Sequence, residues 1–61
     1  MIDTPDNGYM VYPVGMWFAS EAVARDAAEL DSLTAPDYTA RVEECATEEV
    51  VARYKRGVEL P

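Results

Sequence analysis

The apolar positions between Thr34 and Gly57 recur at a helical spacing. At about 100° per residue they fall on one broad face, which comprises Ala35, Tyr38, Val42, Cys45, Ala46, Val50 and Tyr54. Thr34 is a suitable N-cap, Pro36 suits the first turn, and Gly57 suits the left-handed residue after a helix. The pattern therefore predicts a long helix over 35–56. An alternative is a kink near 46–47, with Thr47 capping a second helical segment.

Two shorter patterns precede this segment. Residues 9–18, YMVYPVGMWF, are rich in aromatic and β-branched side chains around Pro13 and Gly15. They predict a short β-hairpin, with a single bent strand as the alternative. Ser20 is a suitable N-cap for an alanine-rich helix over 21–31, whose apolar stripe comprises Val23, Ala27 and Leu30. Residues 1–8 are rich in turn formers, and we expect them to form a flexible arm.

Together these elements predict an α+β fold in one small domain over residues 1–61. A hairpin or bent strand would pack on two roughly antiparallel helices, because the connection between the helices is short. A chain of 61 residues buries only about 60% of its unfolded surface and is marginally stable alone. We therefore expect a monomer or weak homodimer whose stability comes either from a compact core or from a partner. The predicted core comprises Val11, Phe18, Val23, Ala27, Leu30, Leu33, Tyr38, Val42, Cys45, Ala46, Val50 and Tyr54.

The composition argues against catalysis and against metal or cofactor binding. The chain has no histidine and one cysteine, so neither a disulfide within the chain nor a zinc site of the usual kind can form. Cys45 lies on the apolar stripe without a candidate base, so we expect a buried, inert thiol. The first residues do not resemble a signal peptide, and no apolar run approaches the roughly 20 residues of a membrane span. We expect a non-enzymatic protein of the cytoplasm, without metal or cofactor.

The charge of −7 is distributed unevenly. Residues 1–49 hold 11 acids and two bases, a net charge of −9, whereas residues 50–61 have a net charge of +2. On two antiparallel helices the acids would form one negative face, which comprises Asp26, Glu29, Asp31, Asp37, Glu43, Glu44 and Glu48. Such a face attracts basic protein surfaces and repels nucleic acid. Tyr12 and Trp17 would lie at its margin as contact residues. An ordinary solvated acidic surface is the alternative.

The small size, strong negative charge, absence of histidine and helical segment EECATEE resemble the small phage-encoded inhibitors of host defence, namely anti-CRISPR proteins and DNA mimics. The resemblance implies an inhibitor that occupies a basic nucleic-acid-binding surface of a complex in the bacterial cytoplasm. One alternative is a structural or assembly protein that self-associates through the aromatic ribbon, residues 9–18. Another is an antitoxin-like regulator of a basic protein. We do not expect direct binding to nucleic acid, because the sequence places no base near this ribbon.

Overall fold

The computed structural model describes residues 7–61, which form one helix and a five-stranded antiparallel sheet. The chain order is β1 (Tyr9–Tyr12), β2 (Met16–Phe18), α1 (Glu21–Thr34), β3 (Ala40–Glu44), β4 (Val50–Lys55) and β5 (Val58–Glu59). In the sheet the strand order is β2-β1-β3-β4-β5. Helix α1 packs across one face of the sheet, against β1, β2, β3 and β4. Residues 1–6 of the predicted arm lie outside the described residues.

The predicted hairpin is confirmed. Strand β1 pairs with β2, and Met10 lies opposite Trp17. Pro13 lies in the connecting turn, where its lack of an N–H leaves no gap in the strand pairing. The Gly15 N–H donates to the Val11 carbonyl at 2.7 Å and closes this turn.

The predicted first helix is also confirmed, although it ends later than expected. Ser20 is its N-cap, and the side chain accepts from the Val23 N–H at 3.5 Å. The helix continues to Thr34, where the N–H of the C-cap residue Ala35 donates to the Asp31 carbonyl. Pro36 follows, at a position where proline is common beyond a helix end. The residues that predicted the start of a second helix therefore end the first one.

The predicted helix over 35–56, and with it the α+β arrangement of a hairpin on two helices, is wrong. The segment forms β3 and β4, and the fold is mainly β, with 36% strand and 25% helix. The reason is that the apolar residues of this segment fit two patterns, the helical spacing and the alternation of buried and exposed residues in a strand. Ala40 and Val42 are buried in β3 and alternate with more exposed neighbours, as do Ala52 and Tyr54 in β4. The predicted kink at 46–47 falls in the turn between these strands, not within a helix.

The core between α1 and the sheet is thin, because small side chains fill most of it. Its buried hydrophobic residues are Val11, Ala24, Ala28, Ala40, Val42, Ala52 and Tyr54. Helix α1 therefore faces the sheet with Ala24, Ala28 and Ser32 at intervals of four residues. Small residues at these positions let the helix approach the sheet closely.

The predicted core is only partly confirmed. Val11, Val42 and Tyr54 are buried, and Phe18 and Ala27 pack against the core while remaining partly exposed. Cys45 is half-buried. The remaining predicted core residues are exposed, namely Val23, Leu30, Leu33, Tyr38, Ala46 and Val50. Val23 and Leu30 of the predicted stripe thus point away from the core, and the smaller side chains of Ala24 and Ala28 face the sheet instead.

Ser32 connects the helix to the C-terminal hairpin. Its hydroxyl is fully buried, donates to the Glu29 carbonyl at 2.7 Å and accepts from the Gly57 N–H at 2.8 Å. Gly57 has a φ of +81°, and a Cβ on it would lie 2.6 Å from a Leu33 methyl carbon. A glycine is therefore required in this β4–β5 turn, because it combines the left-handed conformation with close approach of the helix.

Candidate functional site

The face of the sheet opposite α1 forms a distinct surface, which we call the open face. Successive strand residues point to opposite sides and paired residues share a side, so the register places nine side chains on this face: Met10, Tyr12, Trp17, Arg41, Glu43, Val50, Arg53, Lys55 and Val58. Pairing of β1 with β3 brings Tyr12 opposite Arg41, and pairing of β3 with β4 brings Arg41 opposite Arg53. Residues distant in sequence thus form one aromatic and basic surface.

Arg41 lies at the centre of the open face. Its guanidinium carbon lies 4.6 Å from the centroid of the Tyr12 ring, and its Nε donates to Glu43 Oε2 at 2.6 Å. The Arg41 side chain is 43% exposed, so water screens the ion pair and the pair contributes little to stability. The two contacts fix the orientation of the guanidinium and the aromatic ring. A partner would therefore meet a preorganised pair of groups.

Positive charge accumulates on the open face of an otherwise acidic chain. Arg41, Arg53 and Lys55 stand against Glu43, a net charge of +2 on this face of a molecule whose total is −7. Within residues 7–61, Arg53 and Lys55 form no salt bridge. Arg53 also lies opposite Arg41, and like charges in that position lower stability. Among the described residues, no carboxylate pairs with either Arg53 or Lys55.

Trp17 is held at the edge of the open face by the chain before β1. Its indole Nε1 donates to the Asn7 carbonyl at 3.0 Å. Gly8 has a φ of +91°, and a Cβ on it would lie 2.4 Å from the indole Nε1. The ring thus lies against the backbone, yet the residue remains 41% exposed. An oriented and exposed tryptophan of this kind is well suited to a protein contact.

The predicted acidic residues on and after α1 lie on different surfaces. Asp26 and Glu29 are exposed on the outer side of the helix. Asp31 is half-buried, and its Oδ2 lies 3.5 Å from the Tyr38 hydroxyl, which donates to it. Asp37 is exposed in the loop that follows the helix.

The remaining predicted acids belong to β3 and to the turn after it. Glu43 lies on the open face beside Arg41. Glu44 ends β3, and its Oε1 accepts from the Thr47 hydroxyl at 3.2 Å. Glu48 is exposed in the turn with a φ of +60°. The single negative face expected from two antiparallel helices is therefore not formed, because one of those helices is a pair of strands. A role for these residues in partner binding stays a prediction.

On the helix side of the sheet, Arg25 joins α1 to the C-terminal strands. Its Nε donates to Glu21 Oε2 at 2.8 Å, and its Nη1 donates to Glu59 Oε2 at 3.2 Å. Its Nη2 also donates to the Val51 carbonyl at 3.3 Å. The Tyr54 hydroxyl lies 3.5 Å from Glu59 Oε1 and donates to it. The arrangement is structural, because every one of these groups is engaged within the chain.

Burial raises the pKa of Tyr54, and the Glu59 carboxylate raises it further, while Arg25 opposes the shift. The unfolded tyrosine releases its proton near pH 10, before the folded one does. The stabilisation of the folded state that goes with the raised pKa of Tyr54 is thus present below about pH 10, and it is lost as the pH rises through the folded pKa. We expect the free energy of unfolding to fall less steeply with alkaline pH in Tyr54→Phe than in the wild type. Urea denaturation from about pH 8 to about pH 11 measures both slopes, and parallel slopes would contradict the expectation.

The structure bears on the expected absence of a metal site only through its described residues. Within 7–61, no three His, Cys, Asp or Glu side chains are grouped so that they could hold a metal ion. Cys45 lies in the turn after β3, where its N–H donates to the Gly8 carbonyl at 3.0 Å. The helix found in this part of the chain is neither long enough nor apolar enough to cross a membrane.

Sequence reasoning missed Met10, Arg41, Arg53 and Lys55 as candidate binding residues. The prediction of a helix over 35–56 assigned the three bases to that helix, far from the aromatic ribbon. A usable signal was present in the alternation of Ala40, Arg41, Val42 and Glu43, which is typical of a strand with one solvated face. Pairing this strand with β1 would have placed Arg41 beside Tyr12.

Comparison of the chain with profiles of known protein families, with characterised proteins and with solved structures finds no match.

Proposed function

We propose that this chain is a non-enzymatic protein-binding module whose contact surface is the open face of the sheet. The observation that carries the proposal is the side-chain composition of that face. Tryptophan, tyrosine, methionine and arginine are enriched in protein interfaces, and tryptophan, tyrosine and arginine dominate the binding energy. Five of the nine residues of the open face are of these types: Met10, Tyr12, Trp17, Arg41 and Arg53.

The electrostatics of the open face favour a partner surface that carries carboxylates. Arg53 and Lys55 make no salt bridge within residues 7–61, so an acidic partner would meet them without displacing an internal ion pair. Nucleic acid is a weaker candidate, since three bases can neutralise only a few phosphates and the whole chain carries −7. Protein is therefore the occupant that we propose, and nucleic acid is an outcome that the experiment distinguishes.

The test is an affinity capture with the tagged full chain from a lysate of the source organism. Two double charge reversals provide a matched pair: Arg53→Glu/Lys55→Glu on the open face and Asp26→Lys/Glu29→Lys on the outer side of α1. Circular dichroism would first confirm that both variants remain folded. We expect the wild type and the helix variant to retain the same protein partner and the open-face variant to lose it. Nuclease treatment of the lysate should leave the capture unchanged.

A quantitative measurement follows once a partner is identified. Tyr12→Ala removes the ring that supports the Arg41 guanidinium, and a residue of this kind contributes about 2 kcal/mol or more. We therefore expect the dissociation constant of the captured complex to rise about 30-fold or more. Retention of the partner by the open-face variant, or loss of capture after nuclease treatment, would contradict the proposal.

A second candidate function uses the acidic side of the molecule. The exposed carboxylates of Asp26 and Glu29 share the outer surface of α1, and such a surface suits a basic partner. In this alternative the chain is an inhibitor in the bacterial cytoplasm that occupies a basic nucleic-acid-binding surface, as anti-CRISPR proteins and DNA mimics do. The same capture tests it, because the helix variant would then lose a partner that the open-face variant retains.

A further inference from the structure

Glu43 is bound to the guanidinium group that the open face would offer to an acidic partner. Its Oε2 accepts from Arg41 Nε at 2.6 Å. Within residues 7–61, Glu43 is the one carboxylate that forms a salt bridge with Arg41, and it does so through this single nitrogen. Carboxylates bind guanidinium groups more strongly when two parallel N–H groups donate to the two oxygens. A carboxylate from outside the chain can therefore form a stronger contact with Arg41 than the internal one.

The exposure of the two side chains also suits an exchange of carboxylates at Arg41. The Glu43 side chain is 23% exposed, whereas the Arg41 side chain is 43% exposed. The Tyr12 ring, whose centroid lies 4.6 Å from the guanidinium carbon, supports Arg41 independently of Glu43. Exposed ion pairs contribute little to stability, so breaking the Arg41–Glu43 pair costs the fold little. The guanidinium thus keeps its support when its carboxylate is replaced.

Arg53 extends the site onto the neighbouring strand. It lies opposite Arg41 in the pairing of β3 with β4, where opposite side chains are about 5 Å apart at Cβ. Two like charges at this distance repel each other, and one carboxylate placed between them is attracted to both. Glu43 lies opposite Val50 instead, one pair further along the two strands. Only a carboxylate that approaches from outside the sheet can therefore contact both arginines from between them.

We infer that the Glu43 carboxylate competes with a partner carboxylate for Arg41, and that the partner carboxylate binds between Arg41 and Arg53. The partner residue is a glutamate or aspartate of an acidic protein segment. This inference rests on the proposed function, because it assigns the central contact of the open face, and it makes Glu43 a residue that lowers affinity. The total charge of −7 also opposes an acidic ligand. At physiological salt, however, charges more than about 8 Å away are largely screened, so the nearest groups decide the contact.

The experiment is an NMR titration of the isotope-labelled full chain with capped tetraglutamate, and capped tetraglutamine is the uncharged control. We expect tetraglutamate to shift the Nε–H signals of Arg41 and Arg53 and tetraglutamine to leave them unchanged. Glu43→Gln keeps a side-chain oxygen that accepts from Arg41 Nε, but it removes the competing charge. The energy of an exposed ion pair corresponds to at most about a fivefold change in a binding constant. We therefore expect Glu43→Gln to bind tetraglutamate about three- to fivefold more tightly than the wild type.

Glu44→Gln is the matched control. It removes the same charge from the next residue of β3, whose side chain lies on the other side of the sheet, so we expect it to bind tetraglutamate as the wild type does. Arg41→Gln should weaken binding about tenfold, and adding Glu43→Gln to it should restore nothing. Circular dichroism would confirm that every variant is folded. Binding by Glu43→Gln that is unchanged or weaker, an equal gain in Glu44→Gln, or a gain that persists without Arg41 would overturn the inference.

Failure of this inference is distinguishable from failure of the proposed function. The titration uses a defined peptide, so its result does not depend on whether the lysate contains a partner. If the open-face variant loses a captured protein but Glu43→Gln binds tetraglutamate no more tightly, the proposed function stands and the competing role of Glu43 is refuted. Tighter binding of a thymidine oligonucleotide of the same charge than of tetraglutamate would overturn the assignment of the site to carboxylates.

Discussion

Replacement of Ala28 by leucine should unfold a large fraction of this protein at room temperature. Ala28 is fully buried where α1 packs on the sheet, and its neighbours in the core, Val11 and Val42, are also fully buried. A larger side chain would force the helix away from the sheet, and overpacking of this kind costs about 3 kcal/mol. A domain of this size has a stability of only about 3–5 kcal/mol. Urea denaturation followed by circular dichroism measures the loss.

The control for this prediction is Ala22→Leu, at an earlier position on the same helix. Ala22 is exposed, and alanine and leucine have similar helix propensities. We therefore expect the free energy of unfolding of Ala22→Leu to stay within about 0.5 kcal/mol of the wild-type value. If both leucine variants unfolded at the same urea concentration, Ala28 would not lie at the contact between helix and sheet.

The second large loss of stability is expected from Ser32→Ala. The substitution removes the acceptor of the Gly57 N–H and the donor to the Glu29 carbonyl, both in the buried region between α1 and the C-terminal hairpin. A buried polar group left without a partner costs about 1–3 kcal/mol, so we expect a loss of about 2 kcal/mol. Hydrogen exchange provides a local readout, because the Gly57 amide should exchange faster while amides at the centre of β3 follow the change in global stability.

Thr34→Ala is the matched control for Ser32. The Thr34 hydroxyl also donates to a helix carbonyl, that of Asp31 at 3.0 Å, but the residue is exposed. Water can replace its hydrogen bond, so the change in stability should stay below about 0.5 kcal/mol. Equal losses of stability in Ser32→Ala and Thr34→Ala would show that the buried hydrogen bond to Gly57 contributes no more to stability than an exposed one.

The N-terminal half of the fold was predictable because its signals are local. Pro13 and Gly15 specify a turn between two apolar runs, and Ser20 caps the helix that follows. Each signal acts over a few residues and needs no knowledge of the remaining chain. The structure confirms both elements, with the helix ending at Thr34.

The C-terminal half was mispredicted because two periodicities fit the same residues. Val42, Val50 and Tyr54 satisfy a helical stripe, yet the β-branched and aromatic residues of this segment favour strands. The strands become stable only when β3 pairs with β1, which lies about 30 residues earlier in the chain. A contact of that range is invisible to a local pattern, and propensity alone does not decide between the two structures.

The prediction of which face of α1 is buried was wrong for a related reason. Larger apolar residues such as Val23 and Leu30 dominate a search for an amphipathic stripe, whereas the sheet accepts only the small side chains of Ala24 and Ala28. Tyr12 and Trp17 were named from the sequence as contact residues; the structure leaves Trp17 exposed and Tyr12 half-buried, and their role in binding stays a prediction. Their basic neighbours were not named, because Arg41 and Arg53 reach them only through strand pairing.

Helix α1 and the open face lie on opposite sides of the sheet and carry net charges of opposite sign. Helix α1 has a net charge of −3, from four acids and one base, while the open face has a net charge of +2. A charged binding partner attracts the side of opposite sign and repels the other side. The protein's total of −7 governs repulsion at long range, whereas its orientation governs what happens at a few ångströms. One acidic protein can therefore approach an acidic target productively, provided that it arrives with the sheet in front.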